Sequence, residues 1–153
     1  MRIFTNPDQS GHNPRDAFYR GQRVPCFENP ARADHVLQAL SAAGGAVAVP
    51  THDSAAALAQ VHAPRYLAFL QDAWRQWLAL DAANANVQPF PSVWPVRTLR
   101  SDVEPTNFIA RLGLYSMDNG TPLAAGTWAA AKGGADAAAS AAQALLAGER
   151  AAF

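Results

Sequence analysis

Four histidines and one cysteine are the side chains with the plainest chemical potential in this sequence of 153 residues. His12, His35, His52 and His62 have no histidine beside them or four residues on, and no Asp-x-His triplet occurs. The short spacings that place two metal ligands on one element are therefore missing. His52 and His62, with Asp53 alongside, are the one conceivable pair, and could serve a small enzyme on an unrelated fold. Histidines satisfied by structural hydrogen bonds are the preferred reading. Cys26 carries no sequence signature of a nucleophile and reads as a small buried thiol. Asp102 and Glu104 could favour a cationic ligand, although a solvated loop face explains them more simply. No G-x-S-x-G, phosphate-binding loop or G-x-G-x-x-G is present, so nucleophile-elbow and nucleotide chemistry have no support.

The elements that would position such residues are partly legible. Arg2–Thr5 reads as a short strand stopped by Asn6-Pro7. Asp8 to Cys26 reads as mostly loop, with one helical turn around Asp16 to Tyr19. Asn29-Pro30 is an N-cap followed by a proline at the first helical position. Ala33, Val36, Leu37 and Leu40 then recur with helical period, and Gly44-Gly45 ends that helix. Ala46–Val49 is a second strand, and the order strand, helix, glycine turn, strand is a βαβ unit with parallel pairing.

Ser54 caps a short helix ending near Val61-His62, and Pro64 opens a long one. Leu67, Leu70, Trp74, Trp77 and Leu78 form its expected apolar stripe. Asp81 to Arg111 is proline-rich and aperiodic, and a loop of that length is functional or an interface element. Thr127 to Ala147 is an alanine-rich helix ended by Gly148, after which Ala151 begins a third strand.

Composition narrows the class. Half of the residues are hydrophobic and 16% are charged, which suits one soluble domain with a real core. Lys and Arg total 12 and Asp and Glu total 12, so no whole-molecule field attracts nucleic acid or an anionic membrane. No run approaches the ~18 apolar residues of a membrane span, and none before Phe27 suits a signal peptide. A lone cysteine excludes an internal disulfide. The expectation is a cytoplasmic protein.

Several segments together resemble a known family. Tyr19-x-Gly21-x-x-Val24-Pro25-x-Phe27-Glu28-x-Pro30-x-Arg32-Ala33 is similar to the start of acetylpolyamine amidohydrolases, bacterial members of the zinc-dependent histone deacetylase family. The resemblance continues at Val61-His62-x-x-x-Tyr66-Leu67-x-Phe69-Leu70-x-x-Ala73-Trp74-x-x-Trp77, at Pro95-Val96-Arg97, at Pro105-Thr106 and at Gly113-x-Tyr115. It closes with Pro122-x-x-x-Gly126-Thr127-Trp128 and Gly148-x-x-Ala151-Ala152-Phe153. No single block is specific, but the blocks fall in order with similar spacing along the whole chain.

The resemblance implies an α/β fold: the N-terminal portion of the three-layer, parallel-sheet arginase/deacetylase architecture, helix-rich with few short strands. It implies that residues 1–153 are the N-terminal portion of a single deacetylase domain. In that family zinc and a histidine pair activate a water for attack on an amide carbonyl. The resemblance places those ligands, the histidine pair and a catalytic tyrosine beyond Phe153, so no catalytic or metal-ligating residue is assigned here and no zinc is expected on this chain alone. It makes Phe27 an aromatic wall of a narrow substrate tunnel, with Tyr19, Asp16 and Asp118 at its rim. It makes residues 80–115 an insertion that narrows the entrance and forms a homodimer. Rim positions that often carry glutamate in the family are Ala17, Ile109 and Gly120 here, and Asp16, Glu104 and Asp118 are the nearby acids.

The implied activity is hydrolysis of linear acylated amines, acetylpolyamine or acetyl-lysine-like, by the complete enzyme. The alternative is a non-catalytic dimerisation or regulatory module derived from the same family. Two short strands cannot cover the apolar faces of three helices, so exposed apolar surface and an unpaired strand edge are expected. On the residues alone Phe27 would be a buried loop anchor; the resemblance turns it into a tunnel wall positioned by the Asn29-Pro30 cap.

Overall fold

The computed structural model describes residues 1–96, 98, 102–120 and 122–153, grouped in two compact units. The first comprises residues 1–13, 28–67 and 125–153, and the second residues 14–27 and 68–124.

The first unit is built on a parallel pair, β1 (Arg2–Phe4) and β4 (Ala46–Ala48), with Arg2 opposite Ala46 and Phe4 opposite Ala48. Helix α1 (Ala31–Ala42) is the crossover between them. Asn29 accepts the Ala31 N–H on Oδ1 at 3.1 Å while Pro30 is already helical at φ −56° and ψ −28°, so the expected cap is made. Gly44 at φ +81° lets the chain leave the helix in a conformation that side chains oppose. The third strand is also present in outline. Residues 151–153 run parallel to β1, with Phe4 N–H donating to the Phe153 carbonyl at 2.7 Å and Phe153 N–H to the Arg2 carbonyl at 2.9 Å. Met1 and Thr5 bond towards β4, whereas Arg2 and Phe4 bond towards Phe153, so β1 is the middle strand.

Ile3 and Phe4 of β1 are buried, but no residue of α1 is. The apolar residues of α1 instead wall an open groove floored by β1, lined by Ile3, Phe4, Ala33, Val36, Leu37 and Leu40. Helices α2 (Ala55–Val61) and α5 (Thr127–Leu146) match the expected spans. Helix α5 is the spine of this unit. The Asn6 amide donates to the Ala130 carbonyl at 2.7 Å, and the Gly126 N–H donates to the Gly11 carbonyl at 3.1 Å.

Helix α3 (Pro64–Leu80) begins at its expected proline, but its buried face is not the expected stripe. Phe69 and Ala73 are buried, and with Leu70 and Trp77 they pack against Phe108, Leu112 and Leu123. Leu67, Trp74 and Leu78 are only half-buried. Of the expected stripe Leu70 and Trp77 join this core, but its fully buried positions on α3 are Phe69 and Ala73, which the stripe left out. The aromatic core of the second unit is tight, with the rings of Phe69 and Tyr115 at 5.0 Å and of Trp77 and Phe108 at 5.6 Å.

Two sequence expectations are corrected in this unit. Asp16 to Tyr19 is not a helical turn: it is strand β2, paired antiparallel with β3 (Gln22–Pro25). Arg20 and Gly21 both take positive φ, 50° and 78°, the signature of a two-residue hairpin turn whose twist suits the flanking strands. The proline-rich stretch from Asp81 is not structureless either. A 3-10 turn spans Ala82–Asn86 and helix α4 covers Phe108–Leu114. Trp77 Nε1 donates to the Val87 carbonyl at 2.8 Å and Asn84 Nδ2 to the Trp77 carbonyl at 2.9 Å, which folds the stretch back on α3. Arg97 lies outside the described residues, as do 99–101 of the same stretch.

Candidate functional site

In an open parallel sheet, ligands gather at the carboxyl ends of the strands. In the first unit those ends are occupied by hydrogen bonds to α5. Beyond β4, the buried Ser140 hydroxyl accepts the N–H groups of Thr51 and His52, both at 3.0 Å. Asp136 accepts the Ser54 N–H at 2.8 Å, and Lys132 Nζ reaches both Asp136 and Asp53 at 2.7 Å. Burial alone would raise the Asp136 carboxyl, but Lys132 and Ser54 outweigh it and hold it at about 2. Asp53 is lowered by the same lysine. These acids are structural clamps.

The histidines do not converge. His12 Nδ1 lies 2.8 Å from Thr127 Oγ1, and burial lowers its pKa. The ring of His62 is tilted against Tyr66 at 5.4 Å, while His35 is exposed on α1 at the open groove beside β1. Among the described residues no three His, Cys, Asp or Glu side chains are grouped to hold a metal ion, and Asp53 is committed to Lys132 rather than to His52 or His62. The donors among the described residues do not fit a zinc centre, and no chemical step runs through zinc on them. Cys26 is half-buried, and burial, then the Asp16 carboxylate, push its thiol up, which suppresses the thiolate a nucleophile needs.

The aromatic and acidic residues of the second unit are placed differently. Asp16 and Tyr19 stand at the two ends of β2, and Phe27 follows two residues after β3. Phe27 is 76% exposed and Tyr19 60%, so neither is a buried anchor, contrary to the reading of Phe27 from the residues alone. Large aromatics held in the open suit contact with something outside this unit. The hairpin beneath them is firmly seated. Phe18 meets Phe90 edge-on at 4.8 Å, and the Arg23 guanidinium lies 6.0 and 5.9 Å from those two ring centres. Arg23 also stands 3.9 Å from Asp16.

The remaining acids are turned to local tasks. Asp118 accepts the Gly120 N–H of its own exposed turn at 2.7 Å. Glu104 lies 3.9 Å from Arg111, which also bonds Gln76 and stacks 5.7 Å from the Phe69 ring centre. Sequence reasoning missed Gln88, whose side chain ties this hairpin down. Its one available signal was an amide set directly before Pro89-Phe90-Pro91.

The histone deacetylase domain matches residues 26–153. The chain belongs to the histone deacetylase family. The family match opens at Cys26, just before Phe27, so Asp16 and Tyr19 fall outside it. Relatives extend over the hairpin as well. Acetylpolyamine amidohydrolase 2 of Pseudomonas aeruginosa is 40% identical over all of this chain, and acetylpolyamine amidohydrolase of Mycoplana ramosa is 32% identical over all of it. The crystal structure of acetylpolyamine aminohydrolase from Burkholderia pseudomallei superposes with a TM-score of 0.82 at 29% identity, over 97% of this chain. The chain spans 44% of the length of each of the first two and 42% of the third. The deacetylase fold expected from the sequence is therefore present as a helix-rich α/β arrangement with few short strands.

Proposed function

We propose that this chain is the N-terminal segment of a zinc-dependent deacetylase acting on linear acylated amines. In this reading it supplies the wall and rim of the substrate tunnel and no catalytic group. The observation that carries it is similarity over the whole of this chain to acetylpolyamine amidohydrolases of which it spans 44%, combined with two exposed aromatics, Tyr19 on a seated hairpin and Phe27 just after it. Phe27 is the wall; Tyr19, Asp16 and Asp118 belong to the rim. Residues 80–115 form the entrance and dimer element, and zinc is held by residues beyond this chain. The substrate is a small amide whose acyl-amine stem is thin enough to thread between aromatic faces. The unburied face of α1 is apolar surface that further parts of a larger domain would cover.

The test joins residues 1–153 to the remaining part of the Pseudomonas aeruginosa acetylpolyamine amidohydrolase 2. Turnover of an N-acetylated diamine by this chimera supports the reading. A folded, zinc-loaded chimera that hydrolyses neither acetylated diamines nor acetyl-lysine overturns it. So does tight zinc binding or deacetylation by residues 1–153 alone.

A further inference from the structure

The geometry points to Gln88 as the positioning residue that fixes the Asp16–Pro25 hairpin on the 86–90 segment. Arg15 lies just before β2 and Asp16 is its first residue, and the N–H groups of both find their acceptor outside β3. Gln88 Oε1 accepts both together, from Arg15 at 2.9 Å and from Asp16 at 3.2 Å. Two donors converging on one atom require an oxygen there, which fixes the orientation of the amide. The Arg15 guanidinium donates to the Asn86 carbonyl at 2.6 Å, and Phe18 packs on Phe90. Three alternate residues of one segment therefore grip one strand.

The other half of the amide sharpens the assignment. Gln88 Nε2 is buried and meets no acceptor among the described residues. Gln88 is thus held for its oxygen, at the cost of an orphaned donor. A residue keeping the acceptor and losing that donor should do the same work, and one of similar shape without the acceptor should not. Asp16 and Tyr19 occupy the gripped strand, so the bearing on substrate binding rests on the function proposed above, whereas the grip itself does not.

Amide hydrogen exchange on the full chain, with Gln88→Met and Gln88→Glu, tests the grip. Gln88→Met is expected to speed exchange at Arg15 and Asp16 by about tenfold, the loss of one well-made hydrogen bond, with the amides of α5 unchanged as control. Gln88→Glu is expected to stay within about threefold of the parent at both amides. No acceleration in Gln88→Met, or equal acceleration in both variants, overturns the assignment. If Gln88→Met fails to fold, a folded Gln88→Glu with slow exchange at both amides upholds it and one with fast exchange overturns it. In the chimera, Gln88→Met is expected to raise KM about fivefold with kcat within about twofold, and Gln88→Glu to restore KM. A parent chimera without turnover refutes the proposed function and leaves the exchange result to decide the grip.

Discussion

Asp136 on α5 accepts the backbone N–H of Ser54 at 2.8 Å, across 82 positions of the chain. That bond joins the helix to the turn that follows β4, and Lys132 completes it by reaching Asp136 from one turn earlier. Acid should expose its contribution. The folded carboxyl titrates at about 2 against an ordinary value of 3.8, although burial opposes the shift. A depressed carboxyl stabilises the fold fully above its unfolded value and loses that contribution as pH falls through the folded one. Between about pH 4 and pH 2 the parent should lose about 1 kcal/mol more than Asp136→Asn, a figure discounted for the partial exposure of the group. Thermal melts across that range check it; parallel losses in both proteins would refute it.

Ser140 makes the neighbouring clamp. Its hydroxyl takes two successive N–H groups and is itself buried, so Ser140→Ala leaves both donors without that acceptor. A loss of about 1–3 kcal/mol is expected from denaturant unfolding, and a change below about 0.5 kcal/mol would contradict it.

Gly113 is required for a close approach. A Cβ at this position would overlap the backbone carbonyl of Val93, which cannot swing away like a side-chain tip. Gly113→Ala should destabilise by about 2–3 kcal/mol through overpacking, lowering Tm by several degrees. An unchanged Tm would show that the 93–94 backbone yields.

Phe27 separates stability from function. At 76% exposed it contributes little burial, so Phe27→Ala should alter stability by no more than about 0.5 kcal/mol. In the chimera the same change should lower kcat/KM by about tenfold or more if the ring lines the tunnel. Unaltered kcat/KM would remove Phe27 from the site.

The groove walled by α1 predicts solution behaviour. Residues 1–153 alone should associate or bind an apolar dye, and Val36→Lys, at a residue 40% exposed, should weaken that without loss of helix content. A monomeric, dye-silent chain with a cooperative melt would contradict the expectation.

What the sequence determined by itself is local. The α1 cap at Asn29-Pro30, the Gly44 exit, the Pro64 start of α3 and the span of α5 were all readable, because caps, prolines, glycines and a 3.6-residue period act within a few positions. The parallel pairing of β1 with β4 was readable too, since a βαβ order permits little else. Conserving none of that logic, the β2–β3 hairpin looked like loop: its short strands carry Asp16, Arg23 and Gln22, and a turn of Arg20-Gly21 is a weak written signal. Only the tertiary structure decided that Ala73 rather than Trp74 faces the core, that Phe27 stands exposed, and that Gln88 grips a strand 72 positions away. Such choices depend on which surfaces meet across long separations, and no local periodicity encodes the partner.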